Sequence, residues 1–156
     1  MYETFEHTAD VGLRVRAASM SGLFEEAARG LFSVMVANLA AVQPIQEIRI
    51  QLQRESLEDL WHDWLSELLF TFHGRRLMLA AFKADLRVAE PCDEGEGDAG
   101  ELVGLSPMVL LDAVARGEPI DPGRHEITAE VKAVTWHKLR VEQRPDGWVG
   151  EVILDI

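Results

Sequence analysis

At 156 residues, with 15 Lys and Arg against 27 Asp and Glu for a net charge of −12, the chain is the size of one domain. Its charge has the wrong sign for gripping nucleic acid unaided. A hydrophobic fraction of 47% and a charged fraction of 27% are those of a globular protein, and no apolar run is long enough to span a bilayer. Met1 to Glu6 lacks the basic and apolar segments of a secretory leader, and the single cysteine, Cys92, fits a reducing compartment, so a cytoplasmic location is expected.

Val11 to Ala17 alternates, with Val11, Leu13, Val15 and Ala17 on one face, the pattern of a half-buried strand. A helix is expected from about Ser19 or Ser21, because Leu23, Phe24, Ala27, Ala28, Leu31, Phe32 and Met35 recur at helical spacing. Gly30 inside it costs roughly 1 kcal/mol against Ala and so marks a close approach. Gln46 to Gln53 alternates again, with Ile48, Ile50 and Leu52 inward. Ser56 is placed to cap a second helix, whose apolar stripe is Leu57, Leu60, Trp61, Trp64, Leu65, Leu68, Leu69 and Phe72. His73-Gly74 ends that helix, and His62 and His73 read as solvated.

Phe82 to Ala89 alternates as a strand. Residues 90–106 are rich in Gly and acid, with Glu90, Asp93, Glu94, Glu96, Asp98 and Glu101 close together, and are expected to form a surface loop. Carboxylates around Cys92 there blunt it as a nucleophile. Met108 to Arg116, opened by Ser106-Pro107 and closed by Gly117, carries the punctuation of a helix. From His125 to Glu142, residues His125, Ile127, Ala129, Val131, Ala133, Thr135, His137, Leu139 and Val141 share one parity. That is the pattern of a long strand that bends, bulges or divides in two. Pro145-Asp146-Gly147 is a turn and Trp148 to Asp155 a closing strand. The expected fold is one α+β domain over residues 1–156, a mostly antiparallel β-sheet with two main α-helices packed on it.

Candidate chemistry gathers at the ends of the chain. A strand running out at Asp155-Ile156 sets a side-chain carboxylate beside an α-carboxylate; with Asp10 these make three hard oxygen donors suited to Ca²⁺ or Mg²⁺. The plainer reading is a solvated, fraying tail. Asp121-Pro122-Gly123-Arg124-His125 reads first as a turn in which Asp121 bonds its own backbone, the alternative being that Asp121 and His125 join Asp10 and Asp155. On the apolar parity of its strand, His137 is expected to be a hydrogen-bonded core residue, and Lys132 on the polar parity an exposed one. The chain has neither a Cys–His metal spacing nor a Gly-rich phosphate loop.

Five blocks go further: His7-Thr8-Ala9-Asp10-Val11-Gly12; Trp64 to Leu69; Gly117 to Asp121; Val131-Lys132-Ala133-Val134-Thr135-Trp136-His137; and Gly147-Trp148 with Val152 to Ile156. In this order, over essentially the whole chain, they resemble the archease family, small acidic proteins that assist the RtcB-type tRNA-splicing ligase. The resemblance implies a non-enzymatic activator that promotes guanylylation and multiple turnover of that ligase. It implies a divalent cation, Ca²⁺ foremost with Mg²⁺ or Mn²⁺ as alternatives, on Asp10, Asp155 and Ile156. His7, Asp121, His125, Lys132 and His137 match family motif positions as accessory or partner-facing residues. Direct nucleic-acid binding is not expected. Glu6 and Trp136 stand where members commonly carry Asp and Tyr, and the stretch from Pro91 to Ser106 is longer than usual. The resemblance also makes the segment before Gly117 a strand, and that reading is adopted over local punctuation. Two other classes compete: a metal-dependent phosphoesterase, which lacks a convincing general base, and a general chaperone-like module built on the acidic loop.

Overall fold

Alternation at the amino end yields two paired strands, β1 (Tyr2–His7) and β2 (Asp10–Ala17), in a computed structural model that describes residues 1–7, 10–89 and 107–156. Ser19 then adopts extended backbone and its hydroxyl accepts the Gly22 N–H at 3.0 Å, which starts α1 (Met20–Met35). All seven residues of the expected stripe are buried, and Gly30 is where the helix meets β2: a Cβ there would lie 2.7 Å from a Leu13 methyl. A short 3₁₀ turn (Leu39–Ala41) leads to β3 (Gln46–Arg54). The Ser56 hydroxyl accepts the Asp59 N–H at 3.1 Å and opens α2 (Leu57–Arg75), which ends on Arg76 in left-handed backbone at φ 54°. The remaining strands are β4 (Leu77–Ala89), β5 (Met108–Pro119), β6 (Ala133–Val134), β7 (Arg140–Arg144) and β8 (Gly147–Asp155).

These strands make two antiparallel sheets, one in the order β1-β2-β8-β6 with β7 also on β8, the other β3-β5-β4. Both helices touch strands of both sheets, so one core is shared. Leu13 and Val15 enter it from one sheet, and Ile48, Ile50, Ala113, Ala115 and Phe82 from the other. The edge of β4 is closed by α1 rather than by another strand. Glu25 accepts the Ala84 N–H at 2.9 Å and the Ser21 hydroxyl accepts that of Leu86 at 3.3 Å.

β5 is a strand, as the block resemblance implied, because β3 and β4 pair with it along both sides and tertiary pairing outweighs the helix punctuation of Ser106-Pro107 and Gly117. Gly117 sits where β4 shifts register between Leu79 and Ala81, and a Cβ on it would fall 1.8 Å from the Met78 carbonyl oxygen. Backbone cannot yield as a flexible side chain can, so Gly117→Ala is expected to lose about 2 kcal/mol or more, measured by urea unfolding.

Of the alternatives for His125 to Glu142, the run divides in two, but into much shorter strands than its parity suggested, β6 and β7, with irregular backbone around them. Its parity fails because this segment does other work. Ile127 bridges to Val36, the Thr128 N–H donates to Met35, and the Ala37 N–H donates to Glu126, so residues 126–128 finish the exit from α1. A turn from Trp136 to Leu139, with Lys138 at φ 54°, then resets the register. β1 was not anticipated, and β4 begins at Leu77 rather than Phe82. Residues 90–106, with Cys92, lie outside the described residues.

Candidate functional site

β2 and β8 run antiparallel with Val11 opposite Leu154, and continuing that register by one residue sets Asp10 opposite Asp155. Residues directly opposite point to the same face, with Cβ atoms roughly 4.5–5.5 Å apart. Leu13 and Val15 face the core, so Asp10, in phase with Gly12 and Arg14, lies with those two on the opposite, outer face. Every other acid of that face in the middle of the sheet is neutralised. Arg14 donates to Glu151 at 2.6 Å and to Glu3 at 3.0 Å, and Arg140 donates to Glu151 at 2.9 Å. Those bonds, Arg140's first, outweigh burial and hold the Glu151 carboxyl below its usual range. Among the described residues neither Asp10 nor Asp155 has an ion-pair partner. Two carboxylates on residues set opposite by the register, with no ion-pair partner among the described residues, are hard oxygen donors, a set that fits a divalent cation such as Ca²⁺ or Mg²⁺. Among the described residues no group of three or more His, Cys, Asp and Glu side chains is arranged to hold a metal ion, so the pair would need a further oxygen arm.

Of the other expected residues, some gather here and some do not. His7 pairs with Asp10 through its backbone. The Lys132 N–H donates to the Asp155 carbonyl oxygen at 2.7 Å, Ala133 lies opposite Asp155, and the Lys132 side chain is exposed. Ile156 is exposed at the end of β8. His137 is exposed rather than in the core, a correction that follows from the Trp136–Leu139 turn.

Asp121 and His125 form a separate cluster at the end of β5. The Asp121 carboxylate accepts the Gly123 N–H at 2.9 Å, the turn chemistry expected of it. His125, only 2% exposed, accepts the Asp121 N–H on Nδ1 at 2.9 Å and donates from Nε2 to Glu118 at 2.6 Å. This fixes a neutral tautomer, and burial, aided by Arg124, pushes its pKa below the usual 6.5. Arg124 also donates to Glu118, which is buried. Asn38 ties this turn to α1 by accepting the Glu126 N–H and donating to the Arg124 carbonyl, each at 2.8 Å. The cluster is a structural knot.

His62 and His73 are not solvated, as their position on α2 had suggested. The Nε2 of His73 lies 2.8 Å from the Val131 carbonyl oxygen, and the Nε2 of His62 lies 3.0 Å from that of Val134. Trp136, 55% exposed, stacks on His62 at 3.8 Å and 9°. The eleven-residue spacing of the two histidines, three helical turns, was the signal that they share a face.

Two antiparallel sheets and two helices around one core define the class, a small acidic α+β domain. The model of the Archease protein family matches residues 2–156, and the chain belongs to that family. It is 38% identical to the protein archease of Methanopyrus kandleri over 99% of both chains, and 33% identical to that of Pyrococcus furiosus over 99% of this chain and 98% of the other. Its fold is similar to the solution structure of Methanobacterium thermoautotrophicum protein 1598, with a TM-score of 0.76, 30% identity and coverage of 99% and 98%. The crystal structure of a Thermotoga maritima archease, described as a possible chaperone, shares the fold at a TM-score of 0.59 and 20% identity, covering 100% and 98%. Among the described residues no helix is long and apolar enough to cross a membrane.

Proposed function

We propose that this protein is a cytoplasmic, non-catalytic activator of an RtcB-type RNA ligase, promoting its guanylylation and multiple turnover in tRNA splicing. The Asp10–Asp155 end of the five-stranded sheet is the face it uses. The observation that carries this reading is the uncompensated carboxylate pair on a chain of the archease family. Asp10, Asp155 and Ile156 would hold a divalent cation, Ca²⁺, Mg²⁺ or Mn²⁺, which when bound supplies positive charge that a phosphate can meet. Lys132, bonded through its N–H to Asp155, stands beside that face. A net charge of −12 favours docking on a basic protein surface over contact with RNA itself.

The test is ligase guanylylation and turnover with Asp10→Ala or Asp155→Ala protein, for which stimulation is expected to drop at least about tenfold. Undiminished stimulation by both variants would sink the proposal. A chaperone-like role in the broader sense would draw instead on exposed apolar residues such as Phe70, 65% exposed, and would survive both substitutions.

A further inference from the structure

The three-stranded sheet ends on β3, a regular strand of nine residues paired with β5 along its whole length without a bulge. Which of its backbone groups face outward follows from the other edge of the sheet. There the Ala84 and Leu86 N–H groups point away from β5, to Glu25 and Ser21. In an antiparallel sheet the N–H and C=O of one residue lie on the same side, and the side alternates along the strand. Lys83, Asp85 and Arg87 therefore turn their groups to β5, and Leu111, Ala113 and Ala115 turn theirs to Leu52, Ile50 and Ile48. That leaves the N–H and C=O groups of Glu47, Arg49, Gln51 and Gln53 on the free side of β3. Among the described residues the bond they receive is from Arg54, whose Nη1 donates to the Gln53 carbonyl oxygen at 2.6 Å, and a carbonyl can take a second donor. Edges of this length are normally blunted by a bulge, a proline or a covering element, and β3 has neither bulge nor proline.

The residues of β3 are complementary to themselves. A two-fold axis at Ile50 sets Gln46 against Arg54, Glu47 against Gln53, Ile48 against Leu52, Arg49 against Gln51, and Ile50 against its own copy. Apolar meets apolar, every charge meets an amide, and no like charges are opposed. The same axis brings outward-facing residues opposite outward-facing ones, as an antiparallel pairing requires. The charged side chains keep a hand free for it. Arg49 uses Nε and Nη2 on Asp112, at 3.0 and 2.7 Å, and retains Nη1 for the amide oxygen of Gln51 on the second copy. Glu47 accepts from Arg116 on Oε2 at 2.9 Å and retains Oε1 for the Gln53 amide.

We propose that β3 is the interface of a two-fold dimer of this chain, the two β3 edges pairing antiparallel about Ile50 so that two three-stranded sheets become one of six strands. A contact of this kind is isologous and closes on itself. The far edge of each three-stranded sheet is already closed by α1, so this sheet grows to two copies and stops. The pairing uses no residue of the Asp10–Asp155 face and holds whether or not a ligase is the partner.

The experiment is sedimentation equilibrium of the whole protein from about 1 µM to 1 mM, with amide exchange measured at the upper end. Expected there is the mass of two chains, with the Arg49 and Gln51 amides exchanging roughly tenfold or more slower than unbonded ones. Gln51→Arg places a guanidinium opposite Arg49 of the second copy, while within its own chain the position lies opposite Asp112. It should weaken pairing roughly tenfold or more and leave the fold intact. Gln51→Pro removes an outward N–H, which an edge strand tolerates, and should give single chains throughout. The mass of one chain at every concentration overturns the proposal, as does a pair in which the two amides exchange like unbonded ones. So does a Gln51→Arg protein that pairs as tightly as the natural one. Protection of these amides only on addition of another protein would give the edge a different occupant and overturn it equally. Mass and exchange are read on the unsubstituted protein, so failure of a variant to fold leaves the test standing.

Discussion

His125→Ala is expected to lower the unfolding free energy by roughly 3–5 kcal/mol, a large part of the 5–15 kcal/mol typical of a domain. The side chain is buried, and its removal takes partners from two groups at once. Glu118, itself buried, loses the Nε2–H donor, and the Asp121 N–H loses its acceptor. Arg124 remains on Glu118 but is itself half exposed, so it compensates only in part. The pH dependence follows from the same geometry. The folded protein holds His125 neutral, with its pKa depressed below 6.5 chiefly by burial. A depressed folded pKa contributes stability that is fully present above the unfolded pKa and lost as pH falls toward the folded one. Stability should therefore decline below about pH 6.5, with a slope from this residue approaching 1.4 kcal/mol per pH unit. Urea unfolding of the natural protein and of His125→Gln, between pH 7.5 and 5 or so, isolates the slope by difference. Equal slopes in the two proteins would show that His125 does not carry it.

Asp155→Asn is expected to act in opposite directions with and without cation. In its absence, removing one of two like charges set directly opposite relieves repulsion, and the melting temperature should rise by an amount equivalent to about 0.2–1 kcal/mol. With saturating Ca²⁺ or Mg²⁺, the natural protein should gain stability in proportion to its binding, about 2.7 kcal/mol at one hundred times Kd. The variant, short of one anionic oxygen donor, should gain little. Curves that cross as cation is added are the signature. Equal stabilisation of both proteins would place the cation elsewhere, while a rise without cation dependence would leave a strained acid pair and no site. Asp10→Asn should behave alike, because the β2–β8 register continued by one residue sets Asp10 opposite Asp155.

Much of this molecule could be read from periodicity, for reasons that individual residues show. α1 and α2 bury long stripes and start on serines that cap them, so local and global preferences agree. β2, β3 and β8 alternate because one face meets the shared core. The segment at 125–142 misled because alternation reports which residues could face a core, and here residues 126–128 close the end of α1 while Trp136–Leu139 turns. β5 was misread locally because Pro and Gly flank it as they would a helix, and its strand state depends on neighbours distant in sequence. Asp10 and Asp155 could be singled out as acids, yet only the β2–β8 register, continued one residue past Val11 and Leu154, sets them opposite each other. The roles of Glu118 and the Val134 carbonyl left no periodic signal, since a hydrogen-bond network has no period.

The contacts from Ser21 and Glu25 to the rim of β4 bear on how this protein can be recognised. A peptide that docks by adding a strand needs free amide groups on the rim it joins, and those of Ala84 and Leu86 are already engaged by a helix of the same molecule. A visitor approaching there would have to displace a carboxylate and a hydroxyl before forming its first ladder bond. Lengthening of the sheet across β4, whether by a client segment or by a second copy, is thus disfavoured from within, and any partner met on that side must read side chains.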